Sequence, residues 1–322
     1  MSVTYLMSYP GPNWQIRGGV NFRSQERAAT NPRRALKEWL SLCDAITRAG
    51  GHILVMPPPT VDPPLTGLVY TANAGQLFKA GDRSVFLLSS MAVAHRQHER
   101  DFVRAFAVEA GLSAQNATQT WEGQADLQTI GGSNRFIATW GVRTVRGALD
   151  EIRPLLPANA KLLDLQIRDP FFHGDTCLNP IQNRAGDVLL LAHPGALVGV
   201  TVEALRGFVG THAEVLSVDH DDALAYACNA LSVNGMLLIP PGLSTALRGQ
   251  LARRGFTFEE LDLPELFGKG GGGPRCLVNE LRGVVLTPSA PDYGSRRDEL
   301  YALIDRYPER LEPPAPPSTP AA

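Results

Sequence analysis

The chain has 322 residues, 44% of them hydrophobic and 19% charged, with a formal net charge of −2. That balance suits one large globular domain or two ordinary ones, and it leaves no basic stripe for a nucleic-acid partner. No window approaches the roughly 18 consecutive apolar residues of a membrane-spanning helix. Met1–Met7 lacks the basic and apolar regions of a signal peptide, so no membrane partner and a cytoplasmic location are expected.

Asn31-Pro32 opens the first helical pattern, which runs to Arg48 and stops at Gly50-Gly51. Asparagine is a good N-cap, proline fits the first helical position, and glycine is a common terminator. A β-rich run, His52–Met56, follows. The proline cluster from Pro57 to Pro64 reads as a stiff surface loop leading into a strand over Val69–Phe78. Further strands are expected at Val85–Ser89, Arg135–Trp140, Lys161–Ile167, Asp187–Ala192, Ala213–Val218, Met236–Ile239 and Gly283–Thr287. Helices between them are expected over Ala94–Glu109, Thr144–Leu155, Thr201–Val209, Ser244–Arg254 and Ser295–Arg306. Strands alternating with helices argue for the α/β class. The helical patterns recur about every fifty to sixty residues, compatible with a repeat of two or three strands plus one helix, although no identity between the copies stands out. No linker breaks the middle, so residues 1–307 read as a single domain. From Pro308 a flexible proline-rich tail, 308–322, is expected.

The four cysteines, Cys43, Cys177, Cys228 and Cys276, form no CxxC pair and read as free thiols. Cys276 closely follows Gly270–Gly273. Glycine lets backbone approach a ligand closely, and a thiolate is a nucleophile. His173-Gly174-Asp175, if extended, would place both side chains on one pocket wall, though an HxD also suits a surface turn. Glu122 and Asp126 lie four apart behind Trp121, in what could equally be a solvated loop. Asn73 sits inside an apolar run, so it is either structural glue or a ligand contact. Arg143 stands at a strand end, where arginine can clamp a carboxylate or simply face solvent. Lys269 precedes the glycines and no GK[ST] ends them, so this is no Walker A loop. GxGxxG and GxSxG motifs are absent, and no second cluster completes a zinc set, so neither cofactor nor metal is expected. A thiolate, a histidine and carboxylates together suit attack on a cationic, planar carbon such as a guanidinium.

At Tyr70–Ala74, Trp121–Asp126, Trp140–Thr144, His173–Asp175 and Gly270–Gly273 with Cys276, the chain resembles the guanidino-group-modifying enzymes of the pentein superfamily. These include arginine deiminases, arginine dihydrolases, dimethylarginine dimethylaminohydrolases and amidinotransferases. The pieces occur in the family's order. The resemblance implies a five-bladed α/β propeller with pseudo-fivefold symmetry; a fifth of 322 residues is about 64 per blade. It implies a small-molecule guanidino substrate and is compatible with a homo-oligomer. Cys276 would attack the guanidinium carbon to give a covalent thiouronium, and His173 would act as acid and then base. Asp126, Asp175 and Glu122 would hold the guanidinium and orient His173, with Arg143 on the α-carboxylate. Hydrolysis of arginine or a close analogue would release ammonia or an amine and a ureido product, with ornithine a possible end point; the alternative is amidino transfer to an amine. Deiminases commonly carry aspartate where this chain has Asn73, and the Ala72-Asn73-Ala74 form looks more like the arginine dihydrolase branch. The N-terminal loop around Asn21 follows that branch only in part, and Asn21 is expected to reach the pocket.

Overall fold

The computed structural model describes residues 3–17, 21–24, 29–80, 83–284 and 286–308. The tail expected from Pro308 therefore lies, from residue 309 onward, outside the described residues.

Among the described residues, five three-stranded sheets are arranged as the blades of a propeller. One blade is closed by both ends of the chain. Its middle strand β1 (Val3–Ser8) is followed by helix α1 (Pro32–Arg48) and a parallel strand β2 (His52–Met56). The other blades repeat the same plan of an inner strand, an antiparallel middle strand, a helix and a parallel outer strand. They are β3, β4 and β5 (Gly75–Ala80, Arg83–Leu88, Ser113–Asn116), with α2 (Glu99–Glu109); then β6, β7 and β8 (Leu127–Thr129, Arg135–Trp140, Lys161–Gln166), with α3 (Ala148–Ile152). Next come β9, β10 and β11 (Leu178–Gln182, Val188–Ala192, Glu214–Ser217), with α4 (Val202–Val209). After the short α5 (His220–Leu224) follow β12, β13 and β14 (Leu231–Val233, Met236–Ile239, Thr257–Glu260), with α6 (Thr245–Arg253). Strand β15 (Asn279–Arg282) returns as the inner strand of the first blade, antiparallel to β1 with Leu6 opposite Asn279, and α7 (Tyr293–Ala302) packs outside it. Inner strands of neighbouring blades touch, β6 against β9, β9 against β12, and β15 against β3.

Apolar side chains gather between each sheet and its helices. In α1 they recur at Leu36, Trp39, Leu40, Cys43 and Ile46, the spacing of one helical face. The expected cap forms at Asn31, which accepts from Arg34 N at 3.0 Å, and Thr201 and Ser244 cap their helices in the same way, accepting from Ala204 N at 3.2 Å and Leu247 N at 3.1 Å. No helix among the described residues is long and apolar enough to cross a membrane.

Three expected elements are displaced, each because a tertiary contact holds the backbone otherwise. Val69–Phe78 is not one strand; it contains the turn Thr71–Ala74 and only then enters β3. Thr71 Oγ1 bonds the carbonyls of Leu6 and Leu277, which anchors the turn at the axis. The helix expected from Thr144 begins at Ala148, because Thr144 Oγ1 accepts from Glu122 N and donates to Asp126. The helix expected from Ala94 begins at Glu99, after a turn that buries Arg96. The last inner strand runs over Asn279–Arg282, paired to Val3–Leu6 of β1, whereas the strand expected at Gly283–Thr287 falls partly, at residue 285, outside the described residues.

At the axis, carboxamides join the blades. Gln128 Nε2 donates to Leu178 O at 2.8 Å, Asn179 Nδ2 to Ala230 O at 2.7 Å, and Asn279 Nδ2 to Thr71 O and Gly75 O at 3.0 and 2.8 Å. Replacing Asn179 with alanine would leave a buried carbonyl unsatisfied between two blades. Urea unfolding should show a loss of about 1–3 kcal/mol with the slope unchanged.

Candidate active site

Each inner strand is preceded by a tight turn, and these turns meet at one end of the axis. They present Asn73 before β3, Glu122 and Asp126 before β6, His173 and Asp175 before β9, Asn229 before β12, and Cys276 before β15. Residues scattered along the sequence thereby come together because each occupies the equivalent place in its blade.

The glycine run delivers Cys276. A turn over Pro264–Lys269 leads into it, with Glu38 accepting from Glu265 N and Leu266 N. A side chain on Gly270 or Gly272 would collide with Tyr70, whose hydroxyl donates to Leu266 O at 2.9 Å. Gly271 adopts φ +80° against Asn21, whose Nδ2 donates to Gly270 O at 3.2 Å. The glycines thus allow a close wall of backbone against Tyr70 and Asn21.

Cys276 is held by Asn229. Asn229 Nδ2 donates to Sγ at 3.1 Å, and its Oδ1 accepts from Cys276 N at 3.2 Å. Asp175 Oδ2 lies 3.7 Å from Sγ. Burial and the adjacent Asp175 carboxylate push the Cys276 thiol well above its usual value. Burial likewise raises Asp175, to about 6, although His173 and Arg275 oppose it. His173 and Asp175 do not lie along a common strand: His173 is extended and Asp175 sits in the turn Gly174–Thr176. Even so, both reach the site.

Glu122 Oε2 accepts from His173 Nε2 at 2.6 Å and lies 3.4 Å from Arg143 Nη1, while Oε1 accepts from Ala92 N at 2.9 Å. Burial tends to raise the Glu122 carboxyl, but His173, Arg143 and Arg96 outweigh it and hold the group well below the usual carboxylate range. This bond orients the ring and leaves Nδ1 without a protein partner. Asp175 Oδ1 is likewise buried and unpartnered. Asp175 Oδ1, and His173 Nδ1 when its ring is neutral, can therefore each accept a donor beside the thiol.

Asn21, Asn73, Arg143, His173 and Cys276 all line one cavity. Glu122 and Asp175 stand directly behind His173 and Cys276, fully buried. Asp126 is placed differently from the expectation of a substrate contact. Its carboxylate accepts from Thr139 Oγ1 at 2.6 Å, Thr144 Oγ1 at 2.7 Å and Gly174 N at 2.9 Å, so it braces the His173 turn from beneath. Asn73 is both glue and cavity wall: Nδ2 donates to Glu122 O at 3.3 Å and Oδ1 accepts from Arg96 Nη1 at 3.1 Å.

Two residues escaped the sequence reading. Arg96 lines the cavity and is gripped by Glu99, with Nη2–Oε2 at 2.8 Å; its i, i+3 spacing to Glu99 was the available signal. Asn229 lies in Tyr226-Ala227-Cys228-Asn229-Ala230, which repeats the Tyr-x-x-Asn-Ala of Tyr70–Ala74. That identity between copies, overlooked in the sequence, marks equivalent turns in two blades. No cluster of three or more His, Cys, Asp or Glu among the described residues is placed to hold a metal.

All four cysteines are free and buried, but only Cys276 among them lines this cavity. It should be the first alkylated by iodoacetamide, slowly at neutral pH and faster as pH rises past 9, by site-resolved mass spectrometry.

No family model matches the chain. ZK1307.1, an uncharacterized protein of Caenorhabditis elegans, is 29% identical over 255 residues, covering 77% of this chain and 84% of that protein. The bifunctional arginine dihydrolase/ornithine cyclodeaminase ArgZ of Synechocystis is 29% identical over 290 residues, or 89% of this chain; the match spans 37% of ArgZ. Among solved structures, the N-terminal domain of ArgZ covalently bound to a reaction intermediate has a TM-score of 0.76 at 24% identity, over 87% of this chain and 97% of that one. A dimethylarginine dimethylaminohydrolase adduct has a TM-score of 0.64 at 16% identity, over 87% of this chain and 100% of that one. With its five three-stranded blades the chain shares the pentein fold of these two solved structures.

Proposed function

We propose that residues 1–307 form one catalytic domain that hydrolyses the guanidino group of arginine. The carrying observation is the pair of orphaned buried acceptors, His173 Nδ1 and Asp175 Oδ1, beside the Cys276 thiol. A guanidinium brings five N–H donors and a positive charge to these two acceptors, whereas Arg96 and Arg143 in the same cavity are engaged with Glu99 and Glu122. Its arrival beside Asp175 neutralises the carboxylate that opposes ionisation of Cys276, so substrate itself favours the thiolate.

The Cys276 proton passes to His173 Nδ1, the thiolate attacks the guanidinium carbon, and as the carbon–nitrogen bond breaks that proton leaves with ammonia. The product is a thiouronium on Cys276. His173, oriented by Glu122, takes a proton from water, hydroxide adds, and cleavage of the carbon–sulfur bond frees Cys276 and citrulline. A second hydrolysis of the ureido carbon yields ornithine, a second ammonia and carbon dioxide. Asn73 in place of an aspartate, and the likeness to a protein named as an arginine dihydrolase, support carrying the reaction that far. Arg143 and Arg96 line the cavity and suit the α-carboxylate.

Purified protein with arginine should release two ammonia per ornithine formed. One ammonia with accumulating citrulline would reduce the reading to a deiminase. Movement of the amidino group to glycine, lysine or ornithine would replace it with a transferase. Cys276→Ala should lower kcat by about a thousandfold or more. Arg143→Met should lower kcat/KM for arginine by roughly ten- to a hundredfold, and much less for agmatine, which has no carboxylate.

The acid limb follows from Asp175. Below about pH 6 its carboxyl is protonated and cannot grip a cation, so kcat/KM should fall as pH drops through that value. Bound guanidinium favours the ionised carboxylate, so the corresponding limb of kcat should lie at lower pH. A kcat/KM that stays flat down to pH 5 would exclude this role for Asp175.

A further inference from the structure

Arg275 and Cys276 are consecutive, yet they face opposite sides of one wall. Cys276 lines the cavity shared with Tyr70, Asn73 and His173. Arg275 lines two cavities on the other side, with Gln128, Glu280 and Arg282 among their walls. The wall between is fixed through Asn229: its carbonyl accepts from Arg275 N at 3.1 Å, and its side chain holds Cys276 N and Sγ. Arg275 Nη1 donates to Glu280 Oε1 at 2.6 Å, and these side chains are 12% and 13% exposed. Glu280 also pairs with Arg282, which is 66% exposed and therefore better screened by solvent. The inner guanidinium is thus a nearly buried cation, immobilised behind the wall that carries the nucleophile, for which hydrolysis has no direct use.

We propose that Arg275 is a positioning residue for the reaction of Cys276: held by Glu280 behind the wall, its guanidinium is a fixed positive charge that favours the thiolate from the side away from substrate. The inference deepens the hydrolase reading and rests on it for the consequence in turnover.

The groups facing Sγ define the balance. Asp175 opposes the thiolate at 3.7 Å, and Asn229 Nδ2 supports it at 3.1 Å. His173 and Tyr70 share the cavity, and Tyr226, held neutral by burial, adds no charge. Arg96 and Arg143 are each engaged with a carboxylate, Glu99 and Glu122. Around Arg275 stand Glu280, Arg282 and the Tyr5 phenol. Arg275 also acts on Asp175, favouring its charged form. A carboxylate that must stay ionised to bind substrate and a thiol that must ionise beside it repel one another, and a cation behind both lowers that conflict.

The test is the rate of Cys276 alkylation by iodoacetamide from pH 7 to 10, read by site-resolved mass spectrometry on the full chain. Arg275→Gln should slow labelling at pH 8 by about tenfold, because less of the thiol is ionised without the cation behind it. Arg275→Lys should stay near wild type. Glu280→Gln unmasks the guanidinium and should speed labelling, shifting the profile the opposite way. Shifts of the same sign in Arg275→Gln and Glu280→Gln would reveal a packing defect and overturn the proposal, as would no shift in either. If Arg275→Gln does not fold, Glu280→Gln alone decides, since unchanged or slower labelling refutes the idea. In turnover, Arg275→Gln should lower kcat with little change in KM. Should the wild type turn over no arginine at all, the labelling series still stands by itself.

Discussion

The structure depends on how the blades satisfy one another's backbone at the axis. Each inner strand ends where its neighbour's hydrogen-bonding groups have no ladder partner, and a buried carbonyl without a donor is costly. Carboxamides meet that need. Asn279 bridges Thr71 O and Gly75 O, Gln128 and Asn179 each reach the next blade, and Asn73 and Asn229 do so at the cavity end, on Glu122 O and Asp175 O. An amide offers both donor and acceptor without a charge to bury, which suits a crowded polar axis. The side chains that close the propeller are thus continuous with those that build the site.

That continuity explains the site's electrostatics. Carboxylates Glu122, Asp126 and Asp175 and the thiol of Cys276 crowd into a desolvated space. Two of the carboxylates are individually answered: Glu122 by His173 and Arg143, and Asp126 by two hydroxyls and a backbone amide. Asp175 alone keeps an oxygen unsatisfied, next to a thiol with little tendency to ionise. An unsatisfied carboxylate oxygen beside an un-ionised thiol suits a cationic hydrogen-bond donor, such as the guanidinium proposed above.

Local signals were legible in proportion to how local their physics is. The α1 helix was readable to its caps, because Asn31, Pro32 and Gly50 act within one turn of themselves. Strands such as His52–Met56, Arg135–Trp140 and Met236–Ile239 were readable from β-rich composition. The turn at Thr71–Ala74 was not, because Leu6 and Leu277 hold it from far along the chain. Asp126 looked like a substrate ligand only until Thr139 and Thr144 were seen to occupy it. Arg96 was hidden in what read as a helix, and Asn229 in a turn that sends no acid, base or nucleophile into the cavity.

Residue chemistry and order were determined by the sequence alone: a cysteine behind glycines, a histidine and three carboxylates, and a resemblance whose pieces run in the family's order. Those are properties of side-chain type and spacing, which need no partner to exist. Which groups meet was decided only by the tertiary structure. Closure of β15 onto β1 brings Cys276 to Asp175 and Asn229, sets Arg275 behind it, and removes the water that would otherwise solvate them. Hydrogen-bond satisfaction and desolvation depend on neighbours distant in the chain, so the state of the thiol and the place of each carboxylate could be settled only by the fold.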